Sequence, residues 1–351
     1  MKVMWGVWGC GGIARRRTIP EGIIPADNAG LCCVWDTDPA AVRDVAAQFR
    51  AHPCHDEVEL LSGACAALYI ATPVHTHLVQ VRRAAEAGKH ILCEKPLGLN
   101  VAEAEEMAAI CRANHVKLGT GLMMRFHAQH QAARELIQAG KLGVPVFARA
   151  QLSCWYPPIP GAWRQDPATG GGGALMDLGA HCLDLLEMFF GPIASVSCSI
   201  ANHVHAYNSE DTAVVLVEFE SGARGLVDVL FNVPDASSRN RLELYGTQGC
   251  ILAEGTIGQG EMGEMTVYLE DDAKNYEAQQ ARAAAETVRI TPVAVNMYRA
   301  EIEAFSQAIL DDAPPPIDGE AGLRIQKILA ACYTAAATGA KTEIATACKV
   351  G

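Results

Sequence analysis

Three short stretches of this chain carry residue types that move protons at a redox centre. Glu94-Lys95-Pro96 offers an ammonium group. Asp177 to Asp184 (DLGAHCLD), directly after the glycine run Gly170 to Gly173, offers a histidine between two carboxylates. Gly9-Cys10-Gly11-Gly12-Ile13-Ala14 offers a glycine turn that lets backbone approach a phosphate. A lysine beside a reacting oxygen stabilises developing negative charge, and a histidine titrating near neutrality gives or takes the proton. Together these are the groups that a hydride transfer to or from nicotinamide asks of its protein.

The glycine turn has the context that such a site needs. Gly9, Gly11 and Ala14 fit G-x-G-x-x-G/A between an apolar run, Lys2 to Trp8, and a helix from Ile13 onward. A helix N-terminus supplies unpaired N–H groups and the positive end of a dipole. Gly9, Gly11, Gly12, Ile13 and Ala14 are therefore expected to hold a dinucleotide. Asp36 closes the next apolar run, where a carboxylate accepts hydrogen bonds from ribose hydroxyls and repels a 2′-phosphate. NAD is the expected cofactor, and NADP fits only if Arg15 or Arg16 reaches the ribose. Asp38 before Pro39 reads instead as a helix cap.

The other polar positions each have two readings. Ala71-Thr72-Pro73, with His75 and His77, follows a third apolar run, at the sheet edge where ligands of open α/β sheets bind. Thr72, Pro73 and His77 are expected to line the cofactor, and a turn-and-cap role is the alternative. Glu94 is placed to orient Lys95; the alternative is a salt-bridged surface loop. Asp177 and His181 share a face on a helix, which Asp184 continues. Gly179 inside that helix costs about 1 kcal/mol against alanine, which suits a close approach by ligand or backbone. The alternative is a polar helix edge with Leu178, Leu185 and Leu186 in the core.

Positioning these residues takes two kinds of sheet. Apolar runs Lys2–Trp8, Leu31–Trp35, Ala66–Ile70, His90–Cys93 and Val116–Thr120 alternate with helices from Ile13 (irregular because of Pro20 and Pro25), Pro39 to Arg50, Thr76 to Ala87 and Val101 to Ala113. Gly88 stands where a helix terminator belongs. Short alternation of this kind gives a parallel, doubly wound sheet. After Met124 a helix from His127 to Ala139 leads to segments with period-2 alternation: Val146–Ser153, Ala194–Ile200, Thr212–Glu220, Arg224–Leu230, Arg241–Tyr245 and Met265–Leu269. Turns at Ser221-Gly222 and Gly246-Thr247 imply antiparallel pairing. The expected architecture is a Rossmann domain over 1–123 and an α+β domain over 124–351 with an open, mainly antiparallel sheet of six strands. Helices Tyr298–Leu310 and Gly322–Thr338, split by Pro314-Pro315-Pro316, are expected to pack back near the first domain. Asp271 to Thr287, rich in alanine, glutamine and charge, reads as a surface excursion. An open sheet face is normally covered by another subunit, so a homodimer or homotetramer is expected.

Composition excludes several classes. The 351 residues exceed what one core usually organises, and the net charge of −12 argues against nucleic-acid or anionic-membrane surfaces. Arg15-Arg16-Arg17 is too short a basic run to change that. No apolar stretch approaches the roughly 20 residues that span a bilayer. The N-terminus lacks an apolar signal region, so the 13 cysteines are expected to stay reduced in the cytoplasm. His52-Pro53-Cys54-His55 and His203-Val204-His205 read as loops. No CxxC pair occurs, and no metal is expected.

Taken in order, the glycine loop, Ala71-Thr72-Pro73 with His77, Glu94-Lys95-Pro96, Arg125-Phe126, Trp163-Arg164, the glycine run and Asp177-x-Gly179-x-His181-x-x-Asp184 form a pattern that spans nearly the whole chain. It resembles the NAD(P)-dependent sugar and cyclitol oxidoreductases that include glucose–fructose oxidoreductase and inositol dehydrogenase. The resemblance implies that Lys95 contacts the reacting oxygen, that His181 is the general acid/base, and that Asp177 is a substrate ligand or the histidine's partner. It places Arg164 near cofactor or substrate, sets Arg125 and Trp163 at the substrate, and implies a cis Lys95–Pro96 bond, which X-Pro chemistry allows. Val74 departs from the asparagine of many relatives. Cys154 to Pro160 (CWYPPIP) forms a proline-rich loop in which Tyr156 is a candidate for stacking on a sugar. The implied reaction interconverts a secondary alcohol and a ketone on a sugar, sugar derivative or cyclitol. The alternatives are a glycosidase working by NAD-dependent redox and elimination, and a cofactor-binding regulator without catalysis.

Overall fold

The computed structural model describes residues 1–270 and 286–345. The chain divides into two compact units: Met1–Met123 with Asp166–Gly171 and Val295–Gln326, and Met124–Gln165 with Gly172–Ala294 and Lys327–Gly351.

The first unit is built on β1 (Val3–Trp8), α1 (Pro39–Phe49), β2 (Ala29–Trp35), β3 (His52–Pro53), α2 (Glu57–Ser62), β4 (Ala67–Ile70), α3 (His77–Glu86), β5 (His90–Glu94), α4 (Val101–Ala113) and β6 (Leu118–Gly121). Its six strands are all parallel, in the order β3-β2-β1-β4-β5-β6. The order reverses between β1 and β4, which opens a crevice at their carboxyl ends. Both faces of the sheet are buried, so β4 is apolar throughout. Trp5 and Val7 belong to the core on one face, with Ile19, Ile23 and Phe305, whereas Trp8, Leu68 and Ile70 belong to the core on the other. The helix Met297–Leu310 is part of this unit, and its Ser306 Oγ accepts a 3.0 Å bond from Trp5 Nε1.

Local signals account for most element ends here. Asp38 caps α1 by accepting from the Ala40 N–H, with Pro39 at the first helical position. Gly88 takes φ +70 after α3. The segment after the glycine turn is π-helical over Ala14–Ile23, with Pro20 inside it and the Ile24 N–H bonded to the Ile19 carbonyl at 3.0 Å. That wide winding is the irregularity that Pro20 and Pro25 foreshadow. His52 and Pro53 are not a loop: they form the edge strand β3, parallel to Cys33 and Val34, where a proline costs no ladder bond.

The second unit holds α5 (Ala128–Gln138), β7 (Pro145–Ser153), the helix Ala180–Phe190, β8 (Ile193–Ala201), β9 (Thr212–Phe219), β10 (Arg224–Leu230), β11 (Arg241–Gly246), β12 (Gly249–Glu254), β13 (Glu264–Leu269), β14 (Glu286–Arg289) and β15 (Thr342–Glu343). They form one sheet of nine strands rather than six, in the order β14-β13-β12-β11-β7-β10-β9-β8-β15. Every pair is antiparallel except β7 with β10. The extra strands, β12, β14 and β15, are too short or too mixed in composition to show a period. Alternation is clear in β9, where Ala213, Val215 and Val217 are buried while Val214 and Leu216 are exposed. Of the segment read as a surface excursion, 271–285 lie outside the described residues, and Glu286 and Thr287 open β14.

Two buried histidines set this unit's response to acid. His127, at the start of α5, and His130 have ring centroids 4.5 Å apart, and both are fully buried. His130 Nδ1 bonds the Met124 carbonyl at 2.9 Å, whereas neither ring nitrogen of His127 has a protein hydrogen bond among the described residues. Burial pulls His127 down to about 4 and His130 to about 3, so both fold uncharged. The unfolded chain, with an ordinary histidine value of about 6.5, binds these protons first, so stability is full above that pH and falls as the pH drops through it. His127 alone accounts for a loss of about 2 kcal/mol at pH 5. Urea unfolding at pH 7.5 and pH 5 tests this. His127→Leu should leave the pH 7.5 midpoint unchanged or higher and shrink the acid-induced drop, and an undiminished drop would contradict it.

Candidate active site

The glycine turn sits at the carboxyl end of β1. Gly9 takes φ +108, and a Cβ on it would lie 2.7 Å from the Ala71 carbonyl oxygen, so only glycine lets the ends of β1 and β4 touch. A Cβ on Gly11 would meet nothing within 4 Å, so backbone faces open space where a pyrophosphate is expected. Asp36 closes the turn from β2: Oδ2 accepts the Cys10 N–H at 2.7 Å and Oδ1 accepts the Asp38 N–H at 2.9 Å. Gly9, Gly11, Gly12, Ile13, Ala14 and Asp36 thus fit a dinucleotide. Arg15 turns instead to Gln48, at 3.3 Å, and to Asp44, at 3.7 Å, on α1.

At the end of β4 the chain folds against the loop after β5. His77 is fully buried, with Nε2 3.0 Å from the Thr72 carbonyl and Nδ1 3.2 and 3.1 Å from the carbonyls of Pro96 and Leu97. Burial holds His77 below its ordinary value, although the three carbonyls favour its charged form. The ring therefore ties two loops together rather than presenting itself to a ligand. Thr72 Oγ1 donates to Gln80 Oε1 at 2.5 Å. The Lys95–Pro96 bond is cis, as the resemblance implies. Glu94 accepts the Tyr69 hydroxyl at 2.5 Å and the Lys95 N–H at 3.3 Å, and Tyr69 in turn accepts from Thr18 at 2.9 Å. Burial and the Glu94 charge push the Tyr69 phenol well up, so it stays a donor. Glu94 thereby positions the main chain that carries Lys95.

In the second unit, four expected residues form one cluster. The Arg164 guanidinium lies 4.1 Å from the centre of the Trp163 ring, and its Nε is 3.2 Å from Asp177 Oδ1. Tyr156 is the third neighbour: burial raises its phenol, Arg164 opposes that and Asp177 adds to it. Tyr156 also packs on Phe231 with ring centroids 4.9 Å apart. Asp177 lies on a π-turn, Leu175–Gly179, that runs straight into the helix Ala180–Phe190. His181, only 6% exposed, stands on that helix's first turn. The nearest atoms to a Cβ on Gly179 belong to Leu175, at 2.9 Å, so no backbone closes on this glycine from elsewhere.

Arg125 and Asp184 form a separate pair. Arg125 Nε lies 2.9 Å from both Asp184 oxygens and its second nitrogen 2.5 Å from one of them, with Asp184 1% exposed. Burial raises the Asp184 carboxyl and Arg125 pulls it back. The second carboxylate of the helix motif is therefore committed to Arg125.

Several residues of this region escaped the sequence reading. Trp155, His205 and Tyr207 form an aromatic shelf, with His205 4.9 Å from Trp155 and 5.3 Å from Tyr207 between ring centroids. The Tyr207 hydroxyl donates to the Tyr156 carbonyl at 3.0 Å. Asp211 fixes the shelf by accepting the N–H groups of His203, Val204 and His205. Burial raises its carboxyl, but these donors outweigh it and hold Asp211 at about 2. The adjacent acids Glu210-Asp211 before an alternating strand were the available signal.

Comparison with known proteins agrees with this architecture. The model of an oxidoreductase family with an NAD-binding Rossmann fold matches residues 3–122, and that of the GFO/IDH/MocA C-terminal domain matches 130–252. The 1,5-anhydro-D-fructose reductase of Ensifer adhaerens is 30% identical over 346 residues, covering 97% of this chain and 98% of its own. This chain belongs to the GFO/IDH/MocA oxidoreductases. Among solved structures of this fold, aldose-aldose oxidoreductase from Caulobacter crescentus matches with TM-score 0.87 and 24% identity over 98% of this chain and 100% of its own. Levoglucosan dehydrogenase, solved with NADH and levoglucosan, matches with TM-score 0.85 and 21% identity over 99% of this chain and all of its own. Membership makes the first unit an NAD-binding Rossmann domain and the protein an NAD(P)-dependent oxidoreductase.

The Arg125–Asp184 pair yields a direct test. Arg125→Met strands a buried carboxylate and should cost about 3 kcal/mol in urea unfolding, whereas Arg125→Met/Asp184→Leu should cost less than the single change. A double variant as unstable as the sum of its parts would refute a buried, mutually dependent pair.

Proposed function

We propose that this protein interconverts a secondary alcohol and a ketone on a sugar, sugar derivative or cyclitol, using NAD. The observation that carries the reading is the cluster of Tyr156, Trp163, Arg164 and Asp177, on the same unit as His181, with Asp177 one turn before His181 in sequence. An aromatic face beside a carboxylate and a guanidinium suits a polyhydroxylated ring, which offers C–H faces to stack and hydroxyls to bond. The names of the relatives, a fructose-derived reductase and a levoglucosan dehydrogenase, support the same substrate class.

In this reading Gly9, Gly11, Gly12, Ile13 and Ala14 hold the pyrophosphate and Asp36 the adenosine ribose, with Thr72, Pro73 and Glu94 framing the nicotinamide end. Bound NAD supplies hydride acceptance and donation. The chain's own part is proton and charge management. Lys95 donates a hydrogen bond to the reacting oxygen and stabilises its negative charge as the proton leaves. His181 takes that proton in oxidation and returns it in reduction. Asp177 binds a neighbouring substrate hydroxyl and Arg164 keeps that carboxylate in place; Arg125 braces the helix that carries His181. His77 acts as a positioning residue for the Lys95–Pro96 loop.

The open face of the second sheet, with exposed Val214 and Leu216, supports a homodimer or homotetramer formed through it. None of the 12 described cysteines is in a disulfide, which suits a reducing compartment such as the cytoplasm. Among the described residues no helix is long and apolar enough to cross a membrane.

A panel of sugars and cyclitols, assayed with NAD and NADP in parallel, identifies the substrate. On it, Lys95→Ala and His181→Ala should each reduce turnover by about 10² or more while NAD affinity stays nearly unchanged. Full turnover in both variants would sink the assignment. The panel should also favour NAD, and a tenfold preference for NADP would overturn the role given to Asp36.

A further inference from the structure

Edge strand β3 and the start of α2 bring three metal-binding side chains together. The ligand atoms of His52, Cys54 and Glu59 all lie within 4.8 Å of one another. His52 and Cys54 are two apart on extended chain, and the Cys54 N–H continues the strand by bonding the Val34 carbonyl at 3.0 Å. Glu59 arrives from the first turn of α2, which Asp56 caps by accepting the Glu59 N–H at 2.8 Å. Its carboxylate is fixed on two sides: Oε2 accepts the His55 N–H at 2.7 Å and Oε1 meets His52 Nε2 at 2.6 Å. Cys54 is 5% exposed and backed by Cys33, while His52 and Glu59 keep one side open to solvent.

We propose that His52, Cys54 and Glu59 form a binding site for one divalent zinc-type ion, with water in the fourth position. A His–Glu pair open to solvent stabilises little by itself, and here the Cys54 sulfur also lies within 4.8 Å of the ligand atoms of both partners. Imidazole, thiolate and carboxylate are the three donor types zinc accepts, and its bond lengths of about 2.0–2.3 Å place tetrahedral donors about 3.3–3.8 Å apart. The His52–Glu59 separation of 2.6 Å has to open by about an ångström to reach that range. The site is remote from Lys95: β3 and β5 are the first and fifth strands of the sheet, roughly 19 Å apart at the usual strand spacing. The ion therefore ties β3 to α2 and takes no part in turnover.

The test uses the full-length, tag-free chain, kept reduced and stripped of metal, then titrated with Zn²⁺ and with Co²⁺. One ion per chain should bind, with a thiolate-to-cobalt charge-transfer band, and zinc should raise the melting temperature. His52→Gln, at an exposed position, and Glu59→Gln, at a half-buried one, should each weaken binding at least tenfold, since even outer partners of metal ligands count for 10- to 100-fold. Cys54→Ser should abolish the cobalt band, and if it fails to fold the His52 and Glu59 variants decide alone. Turnover of the metal-stripped chain should equal that of the loaded one. The proposal is overturned if no ion binds at one per chain, or if affinity is unchanged in both His52→Gln and Glu59→Gln, which would place the ion on other thiols.

Discussion

The carboxylate of Glu210 is the contact on which the Asp177–His181 segment of the second unit depends. A helix begins with N–H groups that have no partner inside it, and here the helix follows Gly172 and Gly173, which pack closely on Tyr333 and Glu210. Glu210 Oε1 accepts the N–H groups of Gly173 and Leu175 at 2.8 and 3.0 Å and the Tyr333 hydroxyl at 2.9 Å, while its main-chain carbonyl accepts the Ala174 N–H at 3.0 Å. Glycine is required for that closeness: side chains at Gly172 and Gly173 would collide with Tyr333 and with the Glu210 backbone. Gly172 and Gly173 are therefore a packing device that delivers the chain into the π-turn. From that start Asp177 faces Arg164 and His181 takes its place on the first α-helical turn.

The first unit solves a similar problem with a different group. The end of β4 and the loop after β5 each leave main-chain carbonyls buried, and such groups need partners. The two ring nitrogens of His77 lie against carbonyls of both segments, Nε2 3.0 Å from Thr72 and Nδ1 3.2 Å from Pro96, and Glu94 takes the Lys95 N–H and the Tyr69 hydroxyl. In both units, acids and a histidine of the kind that could do chemistry hold backbone instead. Asp211 with its three N–H donors follows the same rule, whereas Asp184 is spent on the Arg125 side chain.

The fold was largely legible because its strands and helices have strong local signals. Val101–Ala113 and Arg224–Leu230 match their expected bounds, and Asp38, Pro39 and Gly88 do what caps and terminators do anywhere. β3, β14 and β15 were invisible because two to four residues cannot display a period, and the parallel β7–β10 contact was invisible because partner choice is not encoded in a strand's own alternation. The site was legible as a set of residue types in order. Which atom each one engages was not.

What the sequence determined by itself is the inventory: a glycine turn after a strand, an acid at the next strand end, a lysine before a proline, and a histidine between two acids. These follow from local chemistry, since turn, cap and period are properties of adjacent residues. Only the tertiary structure decided the division of labour. It assigned Asp184 to Arg125, Asp177 to Arg164, His77 to carbonyls from two loops and Glu94 to a buried tyrosine. The physical reason is that a buried polar group must find its partner wherever packing brings one, and packing joins residues such as Arg125 and Asp184 that lie far apart along the chain.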